Sequence, residues 1–168
     1  MLNPLVDTRD VKFVLFELLE AQKMTEYSAF ADFDLDTFEA TIDLAEQMAV
    51  EVFYPTAEEG DKIGAKWDPV TKEVKIPEIF KPALDKFYEA GFMGLTDSPE
   101  HGGTGMPNMV GAAVNEYVCA ANYSLGMYPG LSHGAMELIY AFGTEEQKKL
   151  YADKIMTGEW GGTMCLTE

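Results

Sequence analysis

The sequence predicts an all-α fold: a bundle of about six helices, with a small turn or hairpin near residues 66–76 and the first strand of a further β domain at its C-terminal end. Three observations lead there. Apolar residues recur at helical spacing through most of the 168 positions. Glycine, proline and capping residues punctuate that pattern at intervals suited to helices of ordinary length. Only residues 163–167 turn β-prone, and a lone strand cannot satisfy its own backbone donors and acceptors. Residues 1–160 are therefore expected to form one helical domain, and residues 161–168 to open a second, β domain that continues beyond them.

Taken in order, Asp7 or Thr8 can cap a first helix whose stripe is Val11, Leu15, Leu18 and Leu19, with Lys12, Glu17 and Glu20 toward water. After a polar stretch, Asp36 and Glu39 have the spacing of a capping box for a longer helix carrying Phe38, Ile42, Ala45, Ala49 and Val52, which Pro55 should bend or end. Asp68-Pro69 and the alternation around it predict the turn or hairpin. Pro77 suits the first turn of a third helix with Phe80, Leu84, Phe87 and Tyr88 inward, and Gly91 is placed to close it.

Thr96 to Gly105 is a run of turn chemistry leading to Pro107 and a fourth helix, which ends near Ala121 and buries Val110, Val114, Tyr117, Val118 and Ala121. A fifth helix follows with Leu131, Ala135, Leu138, Ile139 and Phe142 as its expected core face, ended by Gly143. Thr144 and Gln147 then form a capping box for the sixth, with Glu145 and Glu146 at its positive end and Gly158 after its last turn.

With 47% apolar and 12% aromatic residues, the chain has material for a core. Its formal charge is −17, from 29 acids against 12 bases, and Arg9 is the only arginine. Nucleic acid and anionic membranes need clustered cations, so neither is an expected partner. No apolar run is long enough to span a membrane and no leader pattern is present, which points to a cytoplasmic setting. Cys119 and Cys165 have neither metal-site nor disulfide spacing and read as reduced thiols.

The residues offer little chemistry by themselves. His101 and His133 are the only imidazoles, neither in a pattern that identifies a metal site or a nucleophile's base, so both read first as hydrogen-bonded structural histidines. The glycine-rich loop lacks the lysine of a phosphate-binding loop and reads as a tight turn that brings backbone near a ligand. Glu100 in that loop either faces a cavity or is solvated. Met93, Met106, Met109, Met127, Met136 and Met156, among ten methionines, fit an adaptable apolar tunnel and ordinary core filling equally well.

A family emerges from particular runs. Gly143-Thr144-Glu145-Glu146-Gln147-Lys148-Lys149-Leu150-Tyr151, then Gly158-Glu159, then Thr163-Met164-Cys165-Leu166-Thr167-Glu168, resemble the acyl-CoA dehydrogenase family where its helical domain meets its β domain. Pro99-Glu100-His101-Gly102-Gly103-Thr104-Gly105 resembles that family's turn before its fourth helix, and Pro55 with Ala57, Glu58 and Asp61 the end of its second. Asn3-Pro4-Leu5 through Phe13-Val14-Leu15, and the segment at Trp67-Asp68, resemble the larger subgroup that includes methylthiopropionyl-CoA and some long-chain dehydrogenases.

This resemblance implies a flavoenzyme parent, using FAD, in which a carboxylate removes the α-proton of an acyl-CoA thioester while the β-hydrogen leaves as hydride to the flavin. Electrons then pass to electron-transferring flavoprotein, and the parent is a homo-oligomer. It also implies that Thr167 places its hydroxyl at the flavin N5 and O4 edge. Met164 and Leu166 would give backbone and packing contacts to the ring, Met164 standing where many relatives have an aromatic residue. Glu100, Met127 and Leu131 would border the acyl chain. The family's catalytic glutamate belongs to a C-terminal bundle, so no catalytic residue and no metal ligand is assigned here, and the chain alone should be inactive. An acyl-CoA oxidase of similar architecture and a stand-alone helical interaction module are the competing expectations.

Overall fold

A computed structural model describes residues 3–163 and 165. Helix α1, Thr8–Lys12, is capped by Asp7, whose carboxylate accepts from the Arg9 and Asp10 N–H groups, and runs into a wide π turn, Phe13–Leu18. The widening changes the helical phase. Val11 and Leu15 stay buried as expected, whereas Leu18 and Leu19 swing out to 64% and 54% exposure. The polar stretch after it forms two 3₁₀ turns, Ala21–Glu26 and Ser28–Phe30.

Helix α2, Leu35–Met48, begins at Asp34 and not at the Asp36–Glu39 box. Asp34 has the extended backbone that a cap requires and accepts from the Thr37 N–H at 2.8 Å, while Asp36 sits inside the first turn and adds charge to the positive end. Beyond Met48 the helix is not ended by Pro55. It widens over Ala49–Phe53, tightens over Tyr54–Thr56, and resumes as α3, Ala57–Ile63. The change of pitch accommodates the missing proline N–H. Phe38, Ile42, Ala45 and Ala49 are fully buried.

Strands β1, Lys66–Trp67, and β2, Val74–Lys75, pair antiparallel as the small hairpin. Asp68 shapes its turn by accepting from the Val70 and Thr71 N–H groups. Helix α4, Phe80–Glu89, follows a turn opened by Pro77, buries Phe80, Ala83 and Phe87, and closes near Gly91 at φ +73°.

Helix α5, Asn108–Phe142, carries both the expected fourth and fifth helices, divided at Asn122, where φ is −159° and ψ 94°. Asn122 is not a passive break. Its Oδ1 accepts from the Leu125 N–H at 3.0 Å, capping the second half, and its Nδ2 donates to Thr56 Oγ1 at 2.8 Å. Thr56 in turn donates to the Phe53 carbonyl beside Pro55, so the two irregular helix joints are tied by a buried polar relay.

Up to Ala121 the buried residues are those expected. Past the kink they are not. Leu125, Pro129, Ser132, Met136 and Tyr140 face inward, while Leu131, Leu138 and Phe142 are 40%, 55% and 84% exposed. The observed stripe lies one residue on from the expected one, a rotation of about 100° on the helix. The Asn122 cap resets the phase, and the larger apolar residues are left on an outer face.

The sixth helical run comprises α6, Glu145–Gln147, a π turn, Lys148–Ala152, and α7, Asp153–Met156. Its capping box forms as expected: Thr144 N–H donates to Gln147 Oε1 at 2.8 Å, and Gln147 N–H to Thr144 Oγ1 at 3.2 Å. Gly158 follows at φ +75°, pressed on the Tyr88 ring where no Cβ would fit. A core running through α1, α2, α4, α5 and the last helical run holds these elements together.

Candidate functional site

The second half of α5 is the organising element, because cavities open on two of its sides. On one side Phe87, Phe92, Leu95, Val114, Val118 and Pro129 floor a cavity of about 310 Å³. Gly111, Gly126 and Gly130 leave its space open, and Asn108, Asn115, Thr96 and His133 supply its polar lining.

On the other side Ser124, Met127, Tyr128, Leu131 and Ser132 meet the segment Gly161, Gly162 and Thr163 around a groove of about 650 Å³. Ser132 fixes that segment. Its hydroxyl accepts from the Gly162 N–H at 3.0 Å and is itself anchored by donating to the Tyr128 carbonyl at 2.7 Å. Gly162 lies so close to the helix that a Cβ there would overlap Ala135.

Met127 and Leu131 thus share one groove, while Glu100 is exposed and lines a separate one with His101, Tyr140, Glu145, Lys148 and Asp153. Met164, Leu166 and Thr167, and with them most of the strand expected over residues 163–167, lie outside the described residues. Gly161, Gly162, Thr163 and Cys165 are not in a strand.

The glycine-rich loop is tied to α5 by a partly buried pair. His133 Nε2 lies 2.8 Å and 3.1 Å from the two oxygens of Asp97, whose side chain is 6% exposed. The hydrogen bond to Asp97 raises the His133 pKa above its ordinary value, with the charges of Asp97 and Glu137 adding to it against the opposing effect of burial. The other imidazole, His101, stacks on Tyr140 with ring centroids 4.0 Å apart. Burial first, and then the neighbouring Asp153 carboxylate, push the Tyr140 hydroxyl up to about 12.

The loop spends its amides internally. His101 and Gly103 N–H donate to the Ser98 carbonyl, Gly102 to Pro99, Thr104 to Gly94, Gly105 to Asp97 and Met106 to Leu95. Those donors are unavailable to a phosphate, and Gly103 is required because Asp97's backbone occupies the space of a Cβ. Sequence reasoning did not identify Asp97, Ser132 or Asn122 as structural partners. Asp97-Ser98-Pro99 reads as turn chemistry, and its partner is 36 residues away. A polar Asn122 inside an apolar helical run was the one available signal.

These shapes acquire meaning from the relatives. Residues 39–159 match the family model described as acyl-CoA dehydrogenase, N-terminal domain. The chain belongs to that family. It is 35% identical over 160 residues to 3-methylmercaptopropionyl-CoA dehydrogenase of Ruegeria pomeroyi, covering 95% of this chain and 27% of that protein. A broad-specificity linear acyl-CoA dehydrogenase of Mycobacterium tuberculosis is likewise 35% identical, over 96% of this chain and 26% of its own length. The fold resembles solved butyryl-CoA dehydrogenase of Megasphaera elsdenii with a TM-score of 0.62 at 22% identity, across 82% of this chain and 34% of that one. The chain therefore spans about a quarter of the length of the curated relatives it matches. Among the described residues no helix is long and apolar enough to cross a membrane.

Proposed function

We propose that this chain is the N-terminal helical domain, residues 1–160, of a FAD-dependent acyl-CoA dehydrogenase, with residues 161–168 opening the next, β domain. In that parent this domain, through the second half of α5, forms one wall of the cleft that holds acyl chain and flavin. The family match carries the reading; the groove carrying Met127 and Leu131, along which Gly161–Thr163 is held by Ser132, supports the placement of the wall.

An apolar wall fits one side of a flat ring and an acyl tail, and about 650 Å³ is in the range that small ligands occupy. Met164, Leu166 and Thr167 are the residues that would meet the flavin, and Glu100, Met127 and Leu131 those that would border the acyl chain. When bound, FAD supplies the hydride acceptor for α,β-dehydrogenation of the thioester. This chain's share is to exclude water, present an apolar surface to the tail and keep the following segment against α5. Electron-transferring flavoprotein is the proposed electron acceptor, the parent a cytoplasmic homo-oligomer, and the isolated chain inactive.

Extending the gene past Glu168 tests this. The product of a continuing reading frame should bind one FAD per chain and reduce an artificial electron acceptor when given acyl-CoA, while the 168-residue chain stays colourless and inactive. A stop codon at that point, or an extended product without flavin, overturns the reading in favour of a helical interaction module, for which the exposed Leu131, Leu138 and Phe142 would be the docking face. Oxygen consumption by the extended enzyme would move the assignment to an acyl-CoA oxidase.

A further inference from the structure

Of the residues lining the 310 Å³ cavity, His133 is the only titratable one among those described, and its surroundings define what it offers a ligand. The buried Asp97 carboxylate holds a proton on Nε2 whether the ring is neutral or charged, because a carboxylate only accepts. Nδ1 has no hydrogen-bond partner among the described residues, and the imidazole side chain remains 35% exposed. Protonation of the ring is therefore read out at Nδ1: a donor in the cation, an acceptor in the neutral form.

Charge narrows the choice of ligand. Asp97 from the loop and Glu137, one turn along the same helix, both face His133, and the ligand-type atoms of the three lie within 4.8 Å of one another. Across the cavity, the first half of α5 contributes uncharged Asn108 and Asn115, and the end of α4 with the segment after it contributes Phe87, Phe92 and Leu95. A cationic His133 between two carboxylates leaves a locally negative surround, which disfavours an anionic tail but accommodates a neutral oxygen acceptor. The apolar floor accommodates the carbon chain that bears it.

We infer that His133, fixed by Asp97, is a specificity-determining residue of this cavity, selecting acyl chains that carry a neutral hydrogen-bond acceptor such as a ketone oxygen over bare alkyl chains and over chains ending in a carboxylate. This rests on the acyl-thioester reading above and deepens it: the far end of the acyl chain is assigned to this cavity, across α5 from the groove of Met127 and Leu131 that takes the part nearer the thioester. The selected class is an oxo-substituted acyl thioester of short to medium length.

The 168-residue chain itself is the test material. Pantetheine thioesters of octanoate, of octanoates bearing a keto group at carbon 5, 6 or 7, and of suberate are titrated while the His133 imidazole signals are followed by NMR. At pH 6 at least one oxo ester should bind about tenfold more tightly than octanoyl, the gain expected of a hydrogen bond to a charged group. It should shift the imidazole resonances, and lose that preference as pH rises through the His133 pKa. His133→Phe should bind octanoyl and oxo esters alike, and the pH titration of the unaltered chain gives the same information should that variant not fold. Equal affinity for alkyl and oxo esters, tighter binding of the suberyl ester, or binding that leaves the imidazole signals unmoved overturns the inference while leaving the family reading intact. Failure of every ester to bind overturns the cavity as a site, a result distinct from the flavin content of the extended protein.

Discussion

The two halves of α5 have similar apolar content and opposite fates. Before Asn122, the apolar residues at helical spacing are the core: Val110 and Tyr117 are fully buried, and Val114, Val118 and Ala121 nearly so. After it, the inward positions include Ser132 and Pro129, while Leu131, Leu138 and Phe142 face out. The first half is arranged to hold this chain together. The second buries Leu125, Met136 and Tyr140 but leaves its other large apolar residues, Leu131, Leu138 and Phe142, on the surface.

The largest effect that should separate the halves comes from emptying the first. Tyr117 is fully buried and donates to Thr8 Oγ1 at 2.9 Å, linking α5 to the start of α1. Tyr117→Ala should lower unfolding free energy by about 3–5 kcal/mol, from lost burial and the cavity left behind. Urea denaturation of the purified chain measures this. A loss below about 1 kcal/mol would mean that the first half of α5 is not the core.

The joint between the halves comes next. Asn122→Ala removes both the cap on Leu125 and the donor to Thr56, and should cost about 2 kcal/mol by the usual size of a cap plus a buried hydrogen bond. The loss should be strongly non-additive with Thr56→Val, since both changes break one relay. Additive costs in the double variant would show that the two helix joints are not coupled.

What was legible in the sequence follows the same division. The helix boundaries at Asp7, Gly91, Pro107, Thr144 and Gly158 were readable because capping and turn chemistry is local: a few adjacent residues decide it. The face of the fourth helix was readable because core positions keep a 3.6-residue period. The first-helix stripe failed where a π turn altered the phase at Phe13–Leu18, and the cap of the long second helix was placed two residues late because two acids compete there. The fifth-helix face failed because large apolar side chains were assumed to point inward. That assumption fails here because the Asn122 cap resets the helical phase and turns Leu131, Leu138 and Phe142 outward. Met127 and Leu131, singled out with Glu100 through a resemblance, line one groove while Glu100 lines another, and the Asp97–His133 pair, made across 36 residues, left no local signal.

A smaller effect probes how the glycine-rich loop is held to α5. His133 is stabilised in its charged form by Asp97, so its folded pKa is raised. That stabilisation is fully present below the unfolded value near 6.5 and is lost as pH rises through the folded value. With the imidazole partly exposed, the change should be under about 1 kcal/mol. Asp97→Asn should flatten the pH profile in that window. Stability that instead rises with pH there would mean that His133 is held neutral.

The smallest expected effect is the most informative about the second half. Phe142 is 84% exposed and Leu138 55%, so truncating either to alanine removes little area from contact with this chain. Each change should alter unfolding free energy by no more than about 0.5 kcal/mol, against about 2–5 kcal/mol if the residue were core. The near-neutral result distinguishes an open wall from a stripe buried by this chain. A larger cost has one physical route compatible with the fold, which is burial of that face against a second copy. It would then vary with protein concentration, since association stabilises by mass action. Measuring the denaturation midpoint over a hundredfold range of concentration separates the two: a constant midpoint with a large cost would place Phe142 and Leu138 in the core, and with them return the fifth helix to the face its sequence alone would choose.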